Sequence, residues 1–422
     1  MNEIMAVWAE LIKPSAGLPT VQWSLLLALA AAFGHLLHRY IGLPKVVGYS
    51  AVGTLAGIMG FTGALWPLQG VGLFLLELGV AVVLFEAGGR IPLRWFRHNP
   101  MVLVQSIVES ALTFAVVYWV MIQLGVRPPV AEPLALLAIA ASPAVLARVV
   151  MDTRASGPVT ERAMVLATLS SLYALTLCSA SAGMMSRGVR ITGDLALNES
   201  LYPVFVVLGL SVVVGGVLAL TLRTALRVMS PTSENTAILL LAMIAAGAAV
   251  AANFGGSAPL AALLGGMLLK QLNPRPWSWP RQMGTASSML TMLMFVLVSV
   301  VSAQADWGGP TLMLVTGLVL ARGVAKVAGV SLGNVASGAS WQQALWVGVA
   351  MSPMSSVVLL LVSQFISAAG PLGRQVASIA LPSILLMEVL GAVLATVALH
   401  AARESSHPWV LPWSRSAAGD DT

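Results

Sequence analysis

"AIAASPAVLARVV" (residues 138–150) and "GVAMSPMSSVVLL" (residues 348–360) each place a Ser-Pro pair inside a long apolar run. The pairs are Ser142-Pro143 and Ser352-Pro353, about 210 residues apart and flanked by small residues such as Ala140, Ala141, Ala144, Ser355 and Ser356. A proline inside a helix removes a backbone donor and collides with the preceding turn, at about 3 kcal/mol. A chain that breaks two apolar helices at matching places needs a reason, and the surrounding sequence supplies one.

The 422 residues are 58% hydrophobic and 9% charged, with a mean hydropathy of +0.89. Soluble domains carry about 25% charged residues, so this composition can clothe no water-exposed surface of this size and describes a polytopic membrane protein. One cysteine, Cys178, excludes a disulfide framework and a cysteine metal site, and the five histidines show no ligand spacing. No metal and no cofactor is expected. No nucleophile–base pair or phosphate loop points to an enzyme. Residues 1–20 have no basic start, apolar core or small-residue cleavage site, so no cleaved signal is expected.

A spanning helix needs about 20 mostly apolar residues, and thirteen intervals qualify: 21–40, 44–61, 70–89, 101–124, 130–150, 163–185, 201–222, 236–253, 256–272, 285–304, 310–333, 342–366 and 376–400. The intervals 236–253 and 256–272 are the shortest separated pair. Cytoplasmic loops concentrate Lys and Arg. With the N-terminus outside, fifteen basic residues fall on the inner side, including Arg90, Arg94, Arg97, Arg148, Arg154 and Arg162, and five on the outer, among them Lys13, Arg127 and Arg374. That bias supports thirteen spans, N-out and C-in, and makes the net charge of +6 mostly topological, with no nucleic-acid partner implied. Trp23, Trp66, Trp95, Trp277, Trp279, Trp307 and Trp341 stand near span ends, as interfacial anchors do. Residues 1–402 read as one transmembrane domain and 403–422 as a short cytoplasmic tail.

The Ser-Pro pairs lie in spans five and twelve, which are seven apart and so cross the bilayer in opposite directions. Interrupted segments at corresponding places in oppositely oriented halves indicate an inverted-repeat transporter. Freed backbone groups survive at that depth only against protein or a water-filled cavity, and half-helix ends lend partial charges to whatever binds between them. The breaks are therefore expected to build a midplane site. Pro259 and Pro382 read as ordinary kinks.

Four stretches, "GLPKVVGYSAVGTLAG" (42–57), "LELGVAVVLFEAGGRIPL" (76–93), "ASPAVLARVV" (141–150) and "ARGVAKVAGVSLG" (321–333), resemble the cation/proton antiporter superfamily of bacterial sodium/proton and potassium/proton exchangers. The resemblance covers roughly residues 25–395. It implies an all-α fold of about thirteen transmembrane helices with two crossed, Pro-broken helices. It also implies interleaved dimerisation and core subdomains, elevator-type exchange of a monovalent cation for protons, a homodimer, and residence in the bacterial inner membrane.

One departure is chemical. The family carries one or two carboxylates on span six, and here that stretch reads "ERAMVLATLSSLYALTL" (161–177), with Ser170 and Ser171 at those positions and no acid between Glu161 and Asp194. After Pro353, where many relatives have Arg-Gly-Glu, stand Met354, Ser355 and Ser356. A buried carboxylate serves exchange because desolvation raises its pKa while a basic partner restrains the rise. Serine offers only hydroxyl lone pairs. Arg322 and Lys326 remain, at i and i+4 on span eleven. Buried charge marks a functional site by default, while a structural role as props for the unwound helices is the alternative. Glu109 on span four and Glu388 on span thirteen are candidate relocated proton carriers. The pathway residues expected are Ser142, Pro143, Ser170, Ser171, Ser352, Pro353 and Ser356. Three functions stay open: cation/proton exchange, carriage of a small anion or organic acid at a Ser/Lys/Arg site, and a transport-inactive scaffold or sensor.

Overall fold

The computed structural model describes residues 18–61, 66–68, 70–91, 93–186, 197–229, 233–273, 281–334, 337–354 and 356–406. Its helices, in order, are α1 (Leu18–Ile41), α2 (Lys45–Ile58), α3 (Gly70–Gly89), α4 (Leu93–His98), α5 (Pro100–Gln123), α6 (Pro128–Ile139), α7 (Pro143–Thr153), α8 (Pro158–Met185), α9 (Leu197–Val228), α10 (Glu234–Asn253), α11 (Ala258–Leu272), α12 (Arg281–Ala303), α13 (Gly309–Leu332), α14 (Trp341–Ala350), α15 (Ser356–Ala369) and α16 (Pro371–Ala401). Among the described residues there is no strand beyond a single bridge between Ala155 and Ser405. Residues Lys13, Trp277, Trp279 and Ser355, and the tail from 407 onward, lie outside the described residues.

Each of the thirteen apolar intervals holds one helix, except that the fifth holds the pair α6–α7 and the twelfth the pair α14–α15. Among the described residues ten helical segments, α6–α7 counted as one, are long and apolar enough to cross a bilayer, and α11 and α15 are shorter apolar helices. Proline stands in the first turn of α5, α6, α7, α8, α11, α13 and α16. Its missing N–H has no intrahelical partner there anyway, and its fixed φ suits a helix start. Pro143 therefore restarts a helix instead of kinking one. Pro259 likewise opens α11, which corrects the expectation of a kink, whereas Pro382 lies inside α16.

Packing sorts the helices into two groups. In one, α2 lies along α12 and α3 along α11, with α1, α9 and α10 outside them; in the other, α5 lies along α13 and the broken pairs wedge between α8 and α16. An exchange of each span with the one seven later maps the α2–α12 contact onto α11–α3 and the α5–α13 contact onto itself, as an internal two-fold requires. Leu25, Leu29, Phe205 and Val213 expose apolar side chains on α1 and α9. In lipid that surface costs nothing, since no water is displaced against it. After α16, the carboxylate of Glu404 accepts the backbone N–H groups of Val159 and Thr160 at 2.7 Å each, capping α8.

The α5–α13 crossing depends on a missing side chain. A Cβ added to Gly329 on α13 would stand 2.6 Å from the Cα of Glu109 on α5, backbone that cannot step aside. Gly329→Ala should push the helices apart at a cost of about 1–3 kcal/mol, visible as a lower thermal midpoint of the purified protein, whereas Gly323→Ala, which meets nothing within 4 Å, should leave it in place.

Candidate functional site

The two breaks meet. The chain leaves helical geometry after Ile139 and after Ala350, and the backbone N–H of Ser142 donates to the carbonyl of Pro353 at 2.9 Å. Ser142 also caps α7, its hydroxyl accepting from the Val145 N–H at 3.3 Å. A Cβ on Gly391 of α16 would lie 2.6 Å from the Cα of Pro353, so α16 seats directly on the second break.

Stopping a helix leaves its last carbonyls without partners, and here two buried cations take them. The Arg322 guanidinium donates to the carbonyls of Ala138 (3.0 Å) and Ala140 (2.7 Å) at the first break. It also donates to those of Ser352 (2.5 Å) and Pro353 (3.4 Å) at the second. One planar fork thus ties both breaks, which a lysine's point charge could not do. Lys326, one turn along α13, donates to the Ile139 carbonyl at 2.9 Å.

Lys326 has a second partner. Its ammonium lies 2.5 Å from Oε1 of Glu109, and both side chains are fully buried. Around that carboxylate stand the hydroxyls of Thr113 (3.2 Å to Oε1), Ser110 (3.2 Å to Oε2) and Ser170 (2.8 Å to Oε2). Of the two serines expected at the family's carboxylate positions, Ser170 and Ser171, the first thus donates to a carboxylate carried on α5. The two core cations are thereby not left without a neighbouring acid. Ser171 donates to the Ala141 carbonyl at 2.5 Å, and Ser356 is buried at the start of α15.

Glu388 stands apart from this cluster in its partners, with hydroxyls donating to its Oε1 from Ser50 of α2 (2.6 Å) and Ser299 of α12 (3.4 Å). Among the described residues no three His, Cys, Asp or Glu side chains group to hold a metal ion.

Ser110 and Thr113 did not figure among the expected site residues, although a signal existed. Gln105, Ser106, Glu109, Ser110 and Thr113 are polar at helical spacing in an otherwise apolar span, and all five are buried. Such a stripe faces protein, not lipid.

Two cavities are lined by opposite ends of α3. One of 100 Å³ is lined by Glu86, Arg90, Arg148 and Ser287 and reaches Pro143 and Ala144. The other, of 580 Å³, is lined by Glu77, Ser179, Ser363 and Gln364.

A helix bundle with an internal two-fold, two touching unwound segments and buried ions between them is the architecture of an inverted-repeat secondary transporter. The sequence matches the transmembrane sodium/hydrogen exchanger family over residues 25–405, and the chain belongs to that family. It is a multi-pass cation/proton antiporter by family, a transporter and not an enzyme. Its fold is similar to that of the sodium proton antiporter of Methanocaldococcus jannaschii at pH 8, with a TM-score of 0.68 and 16% identity over 92% of this chain and 99% of that one. A second structure of the same antiporter, from electron microscopy, gives 0.55 and 17% over 95% and 92%. No curated protein matches the sequence.

Proposed function

We propose that the chain exchanges Na⁺ or K⁺ for protons through the Glu109–Lys326 pair, and that it does so across a bacterial inner membrane as a homodimer of thirteen-span subunits, N-terminus outside. The observation that carries the reading is the 2.5 Å contact between the Lys326 ammonium and the Glu109 carboxylate, with hydroxyls around it. When Lys326 gives up a proton, two acceptors fall vacant at once, Glu109 Oε1 and the Ile139 carbonyl. These are oxygen ligands suited to a partly dehydrated monovalent cation, and the Thr113 hydroxyl, already 3.2 Å from Oε1, adds a third. Return of the proton to Lys326 restores the ion pair and expels the cation. The buried site is neutral overall at Glu109–Lys326 in both states, which matters where an unpaired charge costs several kcal/mol.

The group that holds the crossing then slides against the α2/α12 layer, exposing the pair to one cavity and then the other. An anion reading gains less support, because Lys326 is neutralised by Glu109 and Arg322 is occupied by four carbonyls.

The test uses purified protein in liposomes with a trapped pH dye and imposed gradients of Na⁺, K⁺ or Li⁺. The expected result is a saturable cation-dependent pH change that Lys326→Gln lowers by about two orders of magnitude, the scale of losing a proton-transfer group. A flat response to all three cations overturns the reading and turns the screen to anions and organic acids.

A further inference from the structure

Glu388 is a fully buried carboxylate that the exchange pair does not use. It sits on α16 beside Met387, whose sulfur lies 4.0 Å from the Arg322 guanidinium, and one turn before Gly391, which seats on Pro353. Its helix therefore belongs with the crossing. Its hydroxyl donors do not: Ser50 is on α2 and Ser299 on α12, two helices packed along each other in the other group. Glu388 thus bonds across the boundary between the two helix groups at depth.

We infer that Glu388 is a proton-dependent latch between the two helix groups, a positioning residue for the exchange and not the carrier of the exchanged proton. The inference rests on the sliding motion proposed above. An ionised carboxylate cannot leave these donors in a dry boundary without stranding its charge, whereas the neutral acid loses only ordinary hydrogen bonds. Other charged and titratable groups lie on the helices packed against α16. Arg322 holds carbonyls and Lys326 holds Glu109 on α13. On α7, Arg148 and Asp152 pair with each other at 3.7 Å and reach Tyr49 and Lys45 of α2. Glu132 lies on α6, and Arg281 opens α12 about five turns from Ser299. The Arg148–Asp152–Lys45 ties join the same two groups, and Arg148 lines the smaller cavity, so with the latch engaged the larger cavity is the open one.

The native chain has one cysteine, Cys178, fully buried, so an introduced thiol can be labelled selectively. Ala147→Cys reports the smaller cavity and Ala368→Cys the larger, in the full chain in liposomes at pH 6 and pH 9. The ratio of their labelling rates cancels the thiol's own ionisation. At pH 9 the Ala368→Cys site should react faster, and at pH 6 the ratio should move toward unity by roughly fivefold, a readable population shift. Glu388→Gln should hold the low-pH ratio at both pH values, and so should the paired Ser50→Ala and Ser299→Ala substitutions, which serve if the first variant fails to fold. Glu109→Gln should leave the pH dependence in place. A ratio that ignores pH in the wild type, or that follows pH unchanged in Glu388→Gln, overturns the latch. So does complete loss of exchange in a folded Glu388→Gln at every pH, which makes Glu388 a carrier. Absence of wild-type exchange defeats the transport reading alone, since labelling decides the latch independently.

Discussion

Glu109→Gln should slow cation-driven proton movement in reconstituted protein by about two to three orders of magnitude. Glutamine keeps the size of the side chain and one acceptor oxygen, so Thr113 and Ser170 retain a partner. It takes away the charge that both Lys326 and an incoming cation compete for, and with it the exchange. A decisive companion exists because Ser170 Oγ lies 2.8 Å from Glu109 Oε2. Ser170→Asp added to Glu109→Gln puts a carboxylate back into the same space from α8, beside the same lysine. Partial recovery of exchange, read as the rate of dye response to a Na⁺ or K⁺ step, is the expected outcome. A single Glu109→Gln variant that exchanges at the wild-type rate would rule out the pair.

Arg322→Met should cost the most in stability. The methionine fills much of the volume but leaves the buried carbonyls of Ala138, Ala140 and Ser352 without this donor, while Pro353 keeps the Ser142 N–H. Each buried carbonyl left unsatisfied costs about 1–3 kcal/mol, and here the loss falls on a side chain that bonds to both breaks. The thermal midpoint in detergent should fall well below that of Lys326→Gln, whose loss affects one carbonyl and one carboxylate. Arg322→Lys should lie between them, because an ammonium can reach one break but has no planar fork to span both. Equal midpoints for Arg322→Met and the wild type would show that the breaks hold each other without the arginine.

Much of the fold was legible because membrane burial writes itself into composition. A chain this poor in charge has one solvent, and two matched Ser-Pro pairs in opposite spans name the architecture. The chemistry was harder to read. The empty carboxylate positions at Ser170 and Ser171 were visible and Glu109 was one of two candidate replacements, but which of them meets Lys326 was not, since nothing in a linear sequence says that span four touches span eleven. Glu109 and Glu388 looked alike as buried acids in apolar helices. Only packing separates them, giving one a lysine and the other hydroxyls from the far layer. The polar stripe from Gln105 to Thr113 was the one local hint that distinguished α5, since lipid-facing turns carry no such run. Arg322 and Lys326 also looked alike, one turn apart, and they differ because the first reaches two sets of freed carbonyls and the second an acid.

Glu109 and Lys326 come from opposite halves of the chain, 217 residues apart, and this sets a problem in time. At ribosomal rates, roughly 10–40 s separate the synthesis of the acid from that of its base. During that interval α5 is in the membrane with a carboxyl group and no lysine. The hydroxyls of Ser110 and Thr113, carried on the same helix one and four residues along, are the partners present from the start. They can keep the nascent acid bonded inside the bilayer until the second half of the protein arrives. In the finished fold the same two hydroxyls still donate to the acid, so the contacts that let the first half wait are kept once the second has arrived.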